Sequence, residues 1–84
     1  MKTYNIPIQR LSPCGMIVKI DTVVKLIAPS VASFDFWHDG QLIGNILCEV
    51  ENIQIFDAID FLIKGYFKSE KFKTFRKEVE NDTE

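Results

Sequence analysis

Alternating apolar and polar residues predict a long strand in the first third of the chain. Residues 16–28 follow a period of two, and seven of the thirteen are β-branched. Such alternation is typical of a half-buried strand, and β-branched side chains favour it. A short helix over 21–28, capped by Asp21, is the alternative. Pro29 ends the element in either case.

A shorter strand is predicted over residues 3–11, directly before the long one. Pro7 lies within it and has no N–H to donate to a neighbouring strand, so we expect this strand at an edge of the sheet or at a bulge. The residues that follow, Ser-Pro-Cys-Gly at 12–15, are typical of a turn.

A hairpin is predicted from residues 31–37 and 41–51. A two-residue turn at Asp39–Gly40 would pair Phe36 with Ile43. A three-residue turn with Gly40 left-handed would instead pair Phe36 with Leu42. We predict the second register, because it makes one face of the hairpin small or apolar throughout and a slip of one residue changes that face. That face consists of Ala32, Phe34, Phe36, Leu42, Ile46, Cys48 and Val50. Gly44 would leave room for the ring of Phe34.

Apolar residues at helical spacing predict a C-terminal helix over about 53–80, with Asn52 as its N-cap. A straight helix would carry two apolar stripes on opposite sides. The first stripe consists of Ile55, Ile59, Leu62, Ile63 and Tyr66. The second consists of Phe61, Phe72, Phe75 and Val79. Either the helix breaks near Gly65–Ser69, with Ser69 capping a second piece that has Glu70 in its first turn, or the second stripe binds a partner.

These elements predict a single α+β domain over residues 1–84. Its sheet is an antiparallel meander of about four strands, followed by the C-terminal helix, which is kinked or split near 65–69 in one of the two alternatives. The predicted core consists of Ile20, Val24, Leu26, Phe34, Phe36, Leu42, Ile46, Cys48, Val50, Ile55, Ile59, Leu62 and Ile63.

Composition adds an argument for association. Hydrophobic residues make up 46% of the 84 residues, and a chain this short buries a smaller share of its surface than a larger domain does. Charge is sorted along the chain, although the net charge is only −2. Residues 26–63 contain no Lys or Arg, whereas residues 64–77 contain six basic side chains and four aromatic ones.

Catalytic and metal-binding patterns are weak. His38 is the single histidine and is expected to be exposed in the hairpin turn. Cys14 and Cys48 lack the spacing of zinc ligands and are expected to be free thiols, with Cys48 in the core. The glycines form no phosphate-binding loop. We therefore predict no enzyme, no metal, no cofactor and no small-molecule substrate.

The N-terminal residues lack the apolar run of a secretory signal, and charges interrupt the most hydrophobic stretch, residues 16–28. The expectation is a cytoplasmic protein that does not enter a membrane.

The second apolar stripe leads to a functional hypothesis. The protein is predicted to be a small, non-catalytic protein–protein interaction module, a homodimer that regulates or inhibits a larger partner protein. The predicted partner-binding residues are aromatic or aliphatic anchors with a basic rim. They are Trp37, Phe61, Lys68, Lys71, Phe72, Lys73, Phe75, Arg76 and Val79. The alternative is a nucleic-acid-binding module that uses the basic, aromatic-rich C-terminal helix.

Overall fold

Four strands and two helices follow one another in a computed structural model that describes residues 3–51 and 54–82, except the side chains of Asn81 and Asp82. The elements are β1 (Thr3–Leu11), β2 (Ile17–Ala28), β3 (Val31–His38), β4 (Gln41–Glu49), α1 (Ile55–Phe67) and α2 (Glu70–Asp82). The strands form one antiparallel sheet in sequence order, so the predicted α+β meander is confirmed. The predicted start of the helix at 53 and the cap at Asn52 lie outside the described residues.

The long strand β2 is a strand throughout, and the alternative helix over 21–28 was wrong. Its buried residues are every second one, from Val18 to Val24, which places one face of the sheet against the helices. Pro7 lies in β1 opposite Asp21. Because β1 is an edge strand, the backbone nitrogen of Pro7, which has no hydrogen to donate, can lie on the side of the strand away from β2.

The hairpin turn differs from the predicted one. His38 pairs with Gln41, so the turn contains only Asp39 and Gly40, whose φ angles are 53° and 75°. Two positive φ angles are typical of the tight turn that matches strand twist, and Asp-Gly tolerates both. The register then shifts between Phe36 and Trp37, which leaves Ile43 as the extra residue of a bulge.

The bulge explains why most, but not all, of the predicted hairpin face is correct. Phe36 pairs with Gly44 rather than Leu42, so the residues beyond the bulge keep the predicted face. Leu42 lies opposite Trp37 and is exposed, whereas Ile43 packs against the core. The prediction of Leu42 as a core residue was therefore wrong, because the tight turn reverses the face on which the residues next to it lie.

Two other predicted core residues are exposed. Val50 is exposed because it lies in a turn after β4 ends. Leu26 is exposed near the end of β2, where the pairing with β3 is interrupted. Cys48 is half-buried and, like Cys14, is a free thiol.

Helix α1 lies close to β4, and Gly44 permits this approach. A Cβ atom at Gly44 would lie 2.5 Å from Cδ1 of Leu62 and 2.9 Å from its Cγ. The ring of Phe34 was expected in this space, but Phe34 pairs with Ile46, and Leu62 fills the space beside Gly44. The helix can therefore pack against the β4 side of the sheet.

Replacing Gly44 with alanine is expected to lower the free energy of unfolding by about 1–3 kcal/mol, because the added methyl group overpacks the contact with Leu62. The matched control is Gly65→Ala in α1, where an added Cβ meets nothing within 4 Å. That change should stabilise the protein by up to about 1 kcal/mol through helix propensity. Urea unfolding of both variants measures the two effects. Equal effects of the two variants would contradict the close approach.

The C-terminal helix breaks where the sequence offered the alternative, between Phe67 and Glu70. The Ser69 hydroxyl accepts a hydrogen bond from the backbone N–H of Phe72 at 3.3 Å and donates one to the carbonyl oxygen of Tyr66 at 2.5 Å. Ser69 thus caps α2, and Glu70 lies in its first turn. The break turns Phe72 into the core, where it is only 4% exposed.

Candidate functional site

The predicted apolar anchors do not lie on one surface. Phe72 is buried, and Phe75 is half-buried with its ring 4.4 Å from that of His38. Val79 is also half-buried. Phe61 is 80% exposed on α1, whereas Trp37 is exposed on the face of the sheet opposite the helices. Two of the five predicted anchors are therefore exposed, one on a helix and the other on the opposite face of the sheet.

The predicted basic rim lies around α2, and it is partly neutralised. All four of its residues are exposed: Lys68, Lys71, Lys73 and Arg76. Lys73 lies 3.4 Å from a carboxylate oxygen of Glu70, and Arg76 lies 3.0 Å from one of Glu80. These exposed pairs within one helix contribute little stability. They do reduce the positive potential that phosphate binding would use.

An aromatic cluster joins α2 to the sheet around His38. Contrary to the sequence expectation, His38 is buried, and its Nδ1 atom lies 2.5 Å from the hydroxyl of Tyr66. Burial lowers the pKa of His38 and raises the pKa of Tyr66, while the nearby charge of Asp39 raises both. The thiol of Cys14 lies 3.0 Å from the Ser12 hydroxyl. His38 and Cys14 thus have different partners. The contacts of His38 with Tyr66 and Phe75 join the sheet to the two helices.

The protein is expected to lose stability as the pH falls below about 6.5, the ordinary pKa of histidine. A lowered pKa in the folded state means that the unfolded chain binds the proton first, so acid favours unfolding until the folded pKa is reached. Denaturant unfolding at pH 8 and pH 5.5 measures this. In His38→Gln the difference between the two pH values should be smaller than in the wild type. An undiminished difference would assign the effect to other groups.

An apolar groove runs between β1 and the first half of α1, on the helix-bearing face of the sheet. It encloses about 250 Å³. It exists because α1 packs toward β4 and leaves the β1 side of this face less covered. Its lining residues are Ile6, Ile8, Arg10, Thr22, Phe34, Ile55, Phe56 and Ile59. Large exposed side chains line or border it, since Phe56 is 70% exposed and Ile6 and Tyr4 are also exposed.

Only two of the lining side chains are polar. Arg10 forms an ion pair with Asp60 of α1, with 3.3 Å between Nη2 and Oδ1, and its Nη1 donates to the carbonyl oxygen of Gln9. Thr22 is 4% exposed, and its hydroxyl has no hydrogen-bond partner within the described part of the chain. An unpaired hydroxyl beside an apolar groove is unfavourable in the isolated chain.

Sequence reasoning missed this groove. Phe56 and Tyr4 were not among the predicted site residues, and Ile6 and Ile8 were assigned only to a strand. A helical wheel does place Phe56 about 60° from Ile59, beside the core stripe rather than within it. The pattern alone could not show that the sheet next to it is uncovered.

No protein-family model, curated protein or solved structure matches this chain. In the described residues, no helix has both the length and the apolar character needed to cross a membrane. Within the same residues, His, Cys, Asp and Glu side chains form no group of three that could hold a metal ion.

Proposed function

We propose that the protein is a non-catalytic protein–protein interaction module that forms a homodimer through the groove beside β1. The observation that carries this proposal is the groove itself, an apolar depression with Phe56, Ile6 and Tyr4 exposed in or beside it. An apolar surface of this kind, formed by large side chains, is typical of the centre of a protein interface.

The total surface of the chain supports association. The accessible surface is 6133 Å² for a mass of 9.7 kDa, whereas compact monomers of this mass expose about 5,100 Å². The radius of gyration is 14.2 Å, against about 12 Å for a compact domain of this length. The excess of about 1,000 Å² is comparable to the roughly 800 Å² that each partner buries in a standard interface.

A second copy is the occupant that the groove fits best. In a two-fold symmetric dimer, the same patch of both subunits meets, so each copy must offer both a depression and a side chain to fill it. The surface beside β1 does this, because Phe56 lines the groove and the exposed Tyr4 lies on the same face of β1 as the lining residue Ile6. Such a contact closes on itself, so that the two copies of this groove are filled within one dimer.

Regulation or inhibition of a larger partner is part of the same proposal, and the opposite face of the sheet is the surface for it. Trp37 and Leu42 form an exposed cross-strand pair there, and Leu47 of β4 is exposed on the same face. A dimer through the groove leaves this face free. The free thiols of Cys14 and Cys48 support placing the module in the cytoplasm, where cysteines stay reduced.

Sedimentation velocity over a range of protein concentrations tests the proposal. We expect a species of twice 9.7 kDa that dissociates on dilution. A particle of the monomer mass at every concentration would refute the homodimer. Amide chemical shifts recorded during dilution should change along β1 and in the first half of α1. Shift changes confined to α2 would assign the interface to the surface predicted from the sequence.

A further inference from the structure

We infer that Tyr4 of the partner subunit enters the groove and donates its hydroxyl hydrogen to the Thr22 hydroxyl, and that the reciprocal bond forms in the other groove. This inference rests on the proposed homodimer and names the contact that gives it specificity.

The first step is the state of Thr22 in the single chain. Its side chain is 4% exposed and its Oγ1 atom is unpaired, although it lines a groove whose other side chains, except Arg10, are apolar. Buried polar groups in folded proteins are nearly always hydrogen-bonded. Rotation by about 120° about χ1 moves Oγ1 to another staggered position, so the hydroxyl can reorient when an occupant fills the groove. Thr22 thus indicates an occupant with one polar atom.

The second step is the chemistry of that occupant. It needs an apolar body to fill the groove and one terminal polar group to meet Thr22, which describes a tyrosine side chain. Tyr4 is 47% exposed in β1. Alternate residues of a strand share a face, so Tyr4 lies on the groove side together with Ile6 and Ile8.

The third step is symmetry. Because a two-fold contact presents the same patch from both copies, a side chain that borders one groove is brought to the other. Ile6 is paired with Thr22 across the β1–β2 ladder, and Tyr4 lies two residues before Ile6. Thr22 is thus one strand in from β1, the strand that forms one side of the groove. Trp37 also has a polar atom on a large ring, but it lies on the opposite face of the sheet and cannot enter through the same contact.

A double-mutant cycle on the dimer tests this inference. The variants are Tyr4→Phe, Thr22→Val and the combination of both, and the measured quantity is the dimer dissociation constant from sedimentation. Each single change should raise the constant about tenfold, since a hydrogen bond is lost twice per dimer. The combined variant should be no weaker than Tyr4→Phe alone, because the two groups act as one pair. Thr74→Val on α2 is the matched control and should leave the constant unchanged.

The possible outcomes separate this inference from the proposed function. A monomeric wild type would refute the homodimer and the inference together. A dimer that Phe56→Asp dissociates, but in which Tyr4→Phe and Thr22→Val have no effect or act additively, would overturn only the Tyr4–Thr22 contact. Urea unfolding of each variant, carried out at concentrations where it is monomeric, shows whether the fold itself has changed.

Discussion

Replacement of Phe56 with aspartate is expected to convert the proposed dimer into a monomer. Phe56 is 70% exposed in the single chain and lines the groove, so a carboxylate there would be desolvated in the proposed dimer, and Arg10 of the same groove is already paired with Asp60. The change occurs twice in a symmetric dimer. We expect the dissociation constant to rise by about 100-fold or more, since each 1.4 kcal/mol corresponds to a factor of ten.

The monomer should tolerate this substitution. Phe56 lies in the first turn of α1, where the helix dipole favours an acidic side chain. Its exposure also means that little core packing is lost. Circular dichroism and urea unfolding of Phe56→Asp should therefore give a folded chain, so that the loss of the dimer cannot be ascribed to unfolding.

Phe61→Asp is the matched control. Phe61 lies on the same helix and is 80% exposed, but about 140° around the axis from Phe56. If the groove is the interface, Phe61→Asp should leave the dissociation constant close to that of the wild type. A dimer that is broken by Phe61→Asp and unaffected by Phe56→Asp would transfer the interface to the solvent side of α1.

The sequence predicted the elements of this fold well, because each depends on local periodicity or on turn residues. The alternation in β2 identified its buried face, and Ser69 with Glu70 marked the position where the helix breaks. The hairpin register was harder to predict, because Asp39–Gly40 suits a two-residue turn, whereas the apolar face requires a pairing that is shifted by one residue. A bulge at Ile43 is compatible with both the tight turn and the apolar face. The sequence pattern of the two strands does not predict this bulge.

The candidate site was not predictable from local patterns, because it depends on where one element lies relative to another. The groove exists since α1 packs toward β4, and this placement depends on the contact of Leu62 with Gly44. Of the rings predicted from the sequence to bind a partner, Phe61 is exposed and Phe72 is buried. Phe72 is buried in the core, whereas Phe56 and Tyr4 are exposed.

Association and stability are linked in a chain this small. A single core in a domain of 84 residues supplies only modest stability. Anything that binds the folded state alone adds to it, so a dimer raises the apparent stability as protein concentration increases. The thermal midpoint of the wild type should therefore increase with concentration, and that of Phe56→Asp should not.

Replacement of Phe72 with alanine is expected to cost about 3 kcal/mol of unfolding free energy, within the range for truncating a buried phenylalanine. Its ring lies 4.9 Å from that of Phe67 and 5.5 Å from that of Tyr66, measured between centroids. These contacts join α2 to α1, so the amides of α2 should lose protection from hydrogen exchange before those of the sheet do. Urea unfolding and native-state exchange measure both effects.

The same variant decides between the two interpretations of the second apolar stripe. If the helix break makes Phe72 a core residue, Phe72→Ala destabilises the monomer, and Phe61→Ala on the exposed part of the stripe changes stability by less than about 0.5 kcal/mol. If Phe72 were instead an anchor for a partner, its truncation would leave the monomer stable and weaken the dimer. The 4% exposure of Phe72 predicts the first result, because a side chain that solvent does not reach is already packed within its own chain.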